Sequence, residues 1–177
     1  MNSVFVGVMT SLLTGVISGI VASVIFLHFY VKKKRPKIEI SEKISKKEFQ
    51  GETNYFFKFI NDTDSEIFDV KLELTFHKPV GALGGQNLQG TDVKLKDDFI
   101  SCIPCRDKND KHNLHAMRIR TTENLVSQWE DESSFLRLTI IAKHSLSGLN
   151  KIFKQDYYSR KDISMNDFVC GDNLNIN

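Results

Sequence analysis

Cysteine, proline and tryptophan are scarce: the 177-residue chain has three, three and one of them. Cys102, Cys105 and Cys170 are too few for a disulfide framework of the kind that small secreted domains use. Also missing are a phosphate-binding loop, a G-x-G-x-x-G turn, an H-E-x-x-H pair and a G-x-S-x-G elbow. The sequence therefore assigns no catalytic residue, no metal site and no cofactor, and the expectation is a non-enzymatic protein. The absence with the largest consequence is local. From Val4 to Val31 the chain runs VFVGVMTSLLTGVISGIVASVIFLHFYV without one Lys, Arg, Asp or Glu, then stops at Lys32, Lys33, Lys34 and Arg35.

An uncharged run of that length reads as a membrane-spanning helix over residues 1–31. At 1.5 Å per residue it reaches roughly 42 Å, against a hydrocarbon slab of about 30 Å, so it crosses with tilt. A secretory signal peptide would need a basic start, a shorter apolar centre and a small-residue cleavage site, and none is present. Residues 32–37 form a basic juxtamembrane linker in which Lys32, Lys33, Lys34, Arg35 and Lys37 meet anionic headgroups, at about 1 kcal/mol each. Pro36 marks the exit from the helix. With no basic residue before the span and five after it, the expected placement is single-pass in the inner (cell) membrane, amino end outside and carboxyl domain cytoplasmic.

Side chains placed at 100° steps divide this helix by size. Val6, Met9, Leu13, Val16, Ile17, Ile20, Val24 and Leu27 share one side; Gly7, Thr10, Ser11, Thr14, Gly15, Ser18 and Ala22 share the other. Ser3, Gly7, Ser11, Gly15, Gly19 and Ser23 form a ladder at every fourth position. Small residues let helix backbones approach closely, and hydroxyls can hydrogen-bond across the gap. The expected helix-helix seam is therefore Gly7, Ser11, Thr14, Gly15, Ser18, Gly19 and Ala22. The four-residue ladder suits a right-handed crossing pair. Alternating three and four spacing suits a left-handed bundle, in which Thr10, Ser11, Thr14 and Ser18 would line a narrow polar path. Either geometry implies a homo-oligomer.

The formal charge of +2 conceals a mildly acidic remainder: without the five linker cations, 19 of the 24 basic residues face 22 acidic ones. Residues 38–177 read as one cytoplasmic domain of short strands. Phe68, Val70, Leu72, Leu74 and Phe76 alternate with polar residues, the period of a strand with one wet face. YFFKFIN at 55–61 precedes it across a turn-rich NDTDS, so the two are expected to pair; Asn61-Asp62-Thr63, a glycosylation triplet, is expected to be that turn. Further strands are expected at 37–44, 93–96, 99–105, 114–120, 135–144 and 151–158, the last two as a hairpin through Gly148. A final strand is expected around Ile163, Phe168 and Cys170, and a hydroxyl-capped helix at TTENLVSQWEDE. The Gly-rich stretch 79–90 is expected to be a mobile or binding loop. The fold class is mainly β, an antiparallel β-sandwich of immunoglobulin-like type behind one transmembrane helix.

Chemistry-bearing candidates each have a plain structural alternative. Cys102 and Cys105 have redox spacing, and with His112 and His115 they offer four zinc-type ligands, but no helix follows to lower a thiol pKa; two small buried thiols at a strand end are the simpler expectation. His144, Ser145 and Ser147 lie near Asp156 without an oxyanion loop, which favours a polar turn. Arg118 and Arg120, two apart on one strand, share a face. A neighbouring strand could add Arg137, Lys143 or Lys151 to make an anion-binding fork; otherwise the arginines pair with Glu123, Asp131 or Glu132.

The architecture, a lone amino-terminal small-residue helix leading through a basic stop into a compact β-domain, resembles the small membrane-anchored effectors of bacterial anti-phage defence, the Hailong-type channel effector among them; stretches such as MRIRTTENL and FLRLTIIAKHSLSGLNKIFKQ resemble those of other bacterial membrane-anchored proteins. The resemblance implies a nucleotide or nucleic-acid-oligomer regulator acting on the soluble domain while the helices perturb the membrane. It carries over no binding residue. The alternative function is a tethered module that recruits a cytoplasmic protein partner.

Overall fold

The computed structural model describes residues 2–33, 35–81, 87–107, 109–129 and 132–177. The chain divides into two compact units, Met1–Arg35 and Pro36–Asn177.

The first unit is helix α1, Asn2–Lys33, long and apolar enough to span a membrane. It contains no proline and no charge before Lys32, so nothing interrupts its hydrogen-bond ladder. It runs past residue 31, and Lys32 and Lys33 occupy its last turn, where cations complement the carbonyl end. Lys34 lies outside the described residues.

The second unit is mainly β, two sheets facing one another as in a sandwich. The first sheet is built on β3 (Glu52–Asn61). The strands β1 (Ile38–Ile40) and β2 (Ile44–Phe49) pair with separate halves of β3, at Phe59–Asn61 and Glu52–Phe56, so they share one of its edges. The other edge takes β7 (Ala116–Thr121). In the second sheet β4 (Ile67–Val80) carries β5 (Asn87–Val93) and β6 (Phe99–Ile103) on one edge. Its other edge pairs with β8 (Phe135–His144), which pairs in turn with β9 (Asn150–Tyr157). A short helix α2 (Leu125–Gln128) connects β7 to β8, and a two-residue β10 (Ile163–Ser164) lies parallel to β2.

Alternation decides what each sheet buries. Tyr55, Phe57 and Phe59 of β3 face Val70, Leu72, Leu74 and Phe76 of β4 and Leu136, Leu138, Ile140 and Ala142 of β8. Each large apolar side chain so buried contributes about 1.5–3 kcal/mol before chain entropy is charged against it. Phe57 meets Tyr157 edge-on at 5.7 Å and Phe76 meets Trp129 at 5.2 Å. The polar ends of these aromatics are satisfied: the Tyr157 hydroxyl donates to Ser41 O at 2.8 Å and Trp129 Nε1 to Ser134 O at 3.0 Å.

Several expectations are corrected. The strands 55–61 and 68–76 do not pair; β3 and β4 are the central strands of opposite sheets, and residues 62–66 carry the chain across. Both strands carry large apolar side chains on their inner faces, and facing each other buries both. The stretch 37–44 is two elements, because Ser41 to Lys43 turn the chain between β1 and β2. The expected strand at 93–96 begins where β5 ends. Lys94 to Lys96 leave that sheet and run beside β7, with Lys96 N donating to Arg120 O at 2.9 Å and Thr121 Oγ1 to Lys94 O at 2.7 Å. The cap of α2 is Asn124, whose side chain accepts from Ser127 N, not a threonine hydroxyl. The stretch 79–90 is regular at both ends, where Val80 pairs with Asn87 and His77 with Gly90; residues 82–86 lie outside the described residues. A Cβ at Gly90 would stand 3.0 Å from Thr75 Cγ2, which accounts for that glycine. The hairpin through Gly148 is present, and so is the turn at 61–63, where Asn61 Oδ1 accepts from Thr63 N at 3.0 Å.

Candidate functional site

The small-residue face of α1 is continuous. Its hydroxyls bond back to their own helix: Ser11 Oγ to Gly7 O at 2.9 Å, Thr14 Oγ1 to Thr10 O at 2.8 Å, Ser18 Oγ to Gly15 O at 3.1 Å. Their protons are satisfied inside the helix while their oxygen lone pairs stay open, so an apolar surrounding can be tolerated and a polar neighbour accepted. A Cβ built at Gly7, Gly15 or Gly19 meets nothing within 4 Å. Each of these glycines costs about 1 kcal/mol relative to alanine in a helix, and no atom of the described chain requires it. Gly7, Ser11, Thr14, Gly15, Ser18, Gly19 and Ala22 are all exposed on the single chain.

The three candidate arginines are not brought together. Arg137 sits on β8 in the second sheet, where two of its guanidinium nitrogens grip Asp156 of β9: Nε to Oδ1 at 2.6 Å and Nη2 to Oδ2 at 2.8 Å. Lys143 and Lys151 belong to that sheet as well. Arg118 and Arg120 do share the outward face of β7. Arg118 donates to Asp167 Oδ1 at 3.3 Å and Phe168 O at 3.1 Å; Arg120 donates to Asn54 Oδ1 at 3.2 Å and lies 4.6 Å over the Phe49 ring. Alternation assigns a residue to a face but not to a sheet, and for that reason the fork fails. The proposed acidic partners also differ: Glu123 accepts from Lys94 N and Gln128 Nε2, and Asp131 lies outside the described residues.

The residue that sequence reasoning passed over is Lys58. It is 2 % exposed, and its ammonium donates to Val169 O at 2.8 Å, Gly171 O at 2.6 Å and Asn173 O at 2.8 Å. Burial, reinforced by Arg118, holds its pKa below the usual lysine value. The available signal was a lone cation inside the apolar run YFFKFI.

Of the remaining candidates, Cys102 is exposed and Cys105 half-buried, which corrects the expectation of two buried thiols. Partial desolvation and the nearby Glu66 hold the Cys102 thiol above its ordinary value, opposite to an activated thiolate. His144 is fully buried, with Nδ1 accepting from Leu146 N and Ser147 N at 3.2 Å each, and Asp156 is committed to Arg137 at the far end of β8. Those residues form a turn. Among the described residues no group of three or more His, Cys, Asp or Glu side chains could hold a metal. Of the linker cations, Lys32, Lys33, Arg35 and Lys37 are exposed, and the backbone of Lys37 is fastened to Thr63 and Asp62.

Compared with known proteins, the chain matches no protein-family model and no curated protein.

Proposed function

We propose that the protein is a non-enzymatic, single-pass membrane effector whose helices associate through the small face of α1 and raise the permeability of the inner membrane under control of the cytoplasmic β-domain. The observation that carries this reading is the run of glycines whose cost nothing within the described chain explains. Close approach of a second helix supplies a reason, because contact between backbones gains dispersion energy that lipid tails cannot match at a glycine. The basic residues at the end of α1 support an orientation with the β-domain in the cytoplasm. Anti-phage defence is the setting that the architecture suits. A nucleotide or nucleic-acid-oligomer regulator acting on Arg118 or Arg120 would have to displace Asp167 and Asn54.

We further read the sandwich as immunoglobulin-like. In support, β3 lies between β1/β2 and β7, β4 crosses to the other sheet, β8 and β9 stand beside it, and Lys94 to Lys96 edge β7.

The test is Gly15→Leu with Gly19→Leu, followed by ion leak from vesicles or cells. The variant is expected to insert normally and to abolish the leak; an unchanged leak would reject the seam. A second reading, a tethered module that recruits a protein partner, predicts that a polyleucine span preserves function.

A further inference from the structure

We infer that the outward face of the first sheet is a peptide-docking face and that its ligand is the chain's own carboxyl-terminal segment, Met165–Asn177. The apolar core is complete without this segment. The members of its main cluster run from Ile38 to Tyr157, with Ile163 packed against its edge; the one later apolar residue that is buried, Phe168, lies outside that cluster. The segment has a single isolated bridge of its own, Phe168 with Ile176, and it is held to the sheet as a ligand is held to a receptor.

The grip comes from β2, β3 and β7 and from the connections at Ser41 and Arg106. Asp167 is clamped from both edges of β3, by Lys47 Nζ of β2 at 2.9 Å and Arg118 Nη1 of β7 at 3.3 Å. Phe168, 2 % exposed, lies under the Arg118 guanidinium at 5.6 Å. Ser45 Oγ donates to Asn166 O at 2.8 Å and Ser41 Oγ to Leu174 O at 3.0 Å. Arg106 closes the far end, with Nε and Nη2 on Asp172 Oδ2 at 3.1 and 2.6 Å. Lys58 stands at the centre. An ammonium has three donors, and all three go to carbonyls at alternate positions, 169, 171 and 173. Gly171, at φ +79°, makes the turn that lets those carbonyls converge.

The face is poorly satisfied without its ligand. Lys58 and Arg118 are direct cross-strand partners, and like charges so placed repel. Asp167 and the carbonyl cluster offset that repulsion. The chemistry recognised is therefore a segment with a carboxylate beside a phenylalanine that folds back on itself through a glycine turn. Since the grip is mainly charge-assisted, with Phe168 its one buried apolar side chain, the segment should come off as a unit while the sandwich stays folded.

Hydrogen exchange on the full-length chain in lipid nanodiscs tests this. Amides of the segment, including Val169 and Asn177, are expected to exchange together well before those of β3 and β8, and faster in high salt. Lys58→Met should speed them by about tenfold or more while leaving β8 unchanged. Protection equal to that of β3 and β8 would overturn the inference. A second arm covers the case in which Lys58→Met unfolds the domain. A labelled peptide of residues 165–177 should bind full-length Asp167→Asn/Asp172→Asn chain, whose own segment is weakened, and bind wild type far less. A scrambled peptide should bind neither. Failure of the native-sequence peptide to bind the weakened chain would equally overturn the inference.

Discussion

Arg137 and Asp156 show how a single cross-strand pair can be both structural and titratable. They are direct register partners on β8 and β9, joined by two parallel bonds, and the Tyr158 hydroxyl donates to Asp156 Oδ2 at 3.2 Å. The Arg137 hydrogen bonds hold the Asp156 carboxyl below the ordinary aspartate value of 3.8. A depressed folded-state pKa contributes stability that is complete above the unfolded value and is lost as pH falls through the folded one. Asp156→Asn should therefore lower stability by about 1–2 kcal/mol at neutral pH, a charge-assisted bond discounted for its partial exposure. The difference from wild type should shrink as pH falls below 3.8. Denaturant unfolding followed by fluorescence of the single, buried Trp129 reads this directly, and a gap that persists in acid would contradict it. Arg137 was visible in the sequence as a cation on a strand face. Its partner was not, because alternation does not say which strands are neighbours.

At the scale of elements, the sequence was most legible where one strand follows another through a tight turn. The stretch 135–144 is β8 to the residue, and β9 follows it across Gly148. Gly148 has φ +66° and donates its N–H to His144 O at 2.9 Å. Gly148→Ala forces a Cβ into the left-handed region and should cost about 1–2 kcal/mol in the same unfolding assay. Loss of much less would mean that the turn rearranges freely. Legibility failed where contacts are distant in sequence. The apolar alternation of β3 and β4 identified two strands correctly, but two half-buried strands can pair edge to edge or face each other across a core, and the pattern is the same for both. The strand β5 was hidden because NLQGTDV is apolar only at Leu88 and Val93 and shows no alternation; its residues are exposed from Asn87 to Asp92 and only Val93 is buried. The final strand expected around Ile163, Phe168 and Cys170 is only the two-residue β10 with an isolated bridge at Phe168; beyond β10 the chain is held largely through its backbone carbonyls, which every sequence has.

For the whole molecule, composition separates two units with opposite demands. One is a helix without charge before Lys32 whose side chains from Val4 to Tyr30 are exposed on the single chain, and the other is a mildly acidic β-domain with its own core. The sequence places a linker at 32–37, where charge content changes abruptly, and the compact units meet within that stretch, at Arg35 and Pro36. What the helix face meets was not, since the partner it calls for is outside the chain. The most direct measurement is the mass of the detergent-solubilised particle, for wild type and for Gly15→Leu/Gly19→Leu in parallel. The account predicts a defined oligomer for wild type and its dissociation in the variant. A monomeric wild type, or an oligomer that both chains form equally, would contradict it.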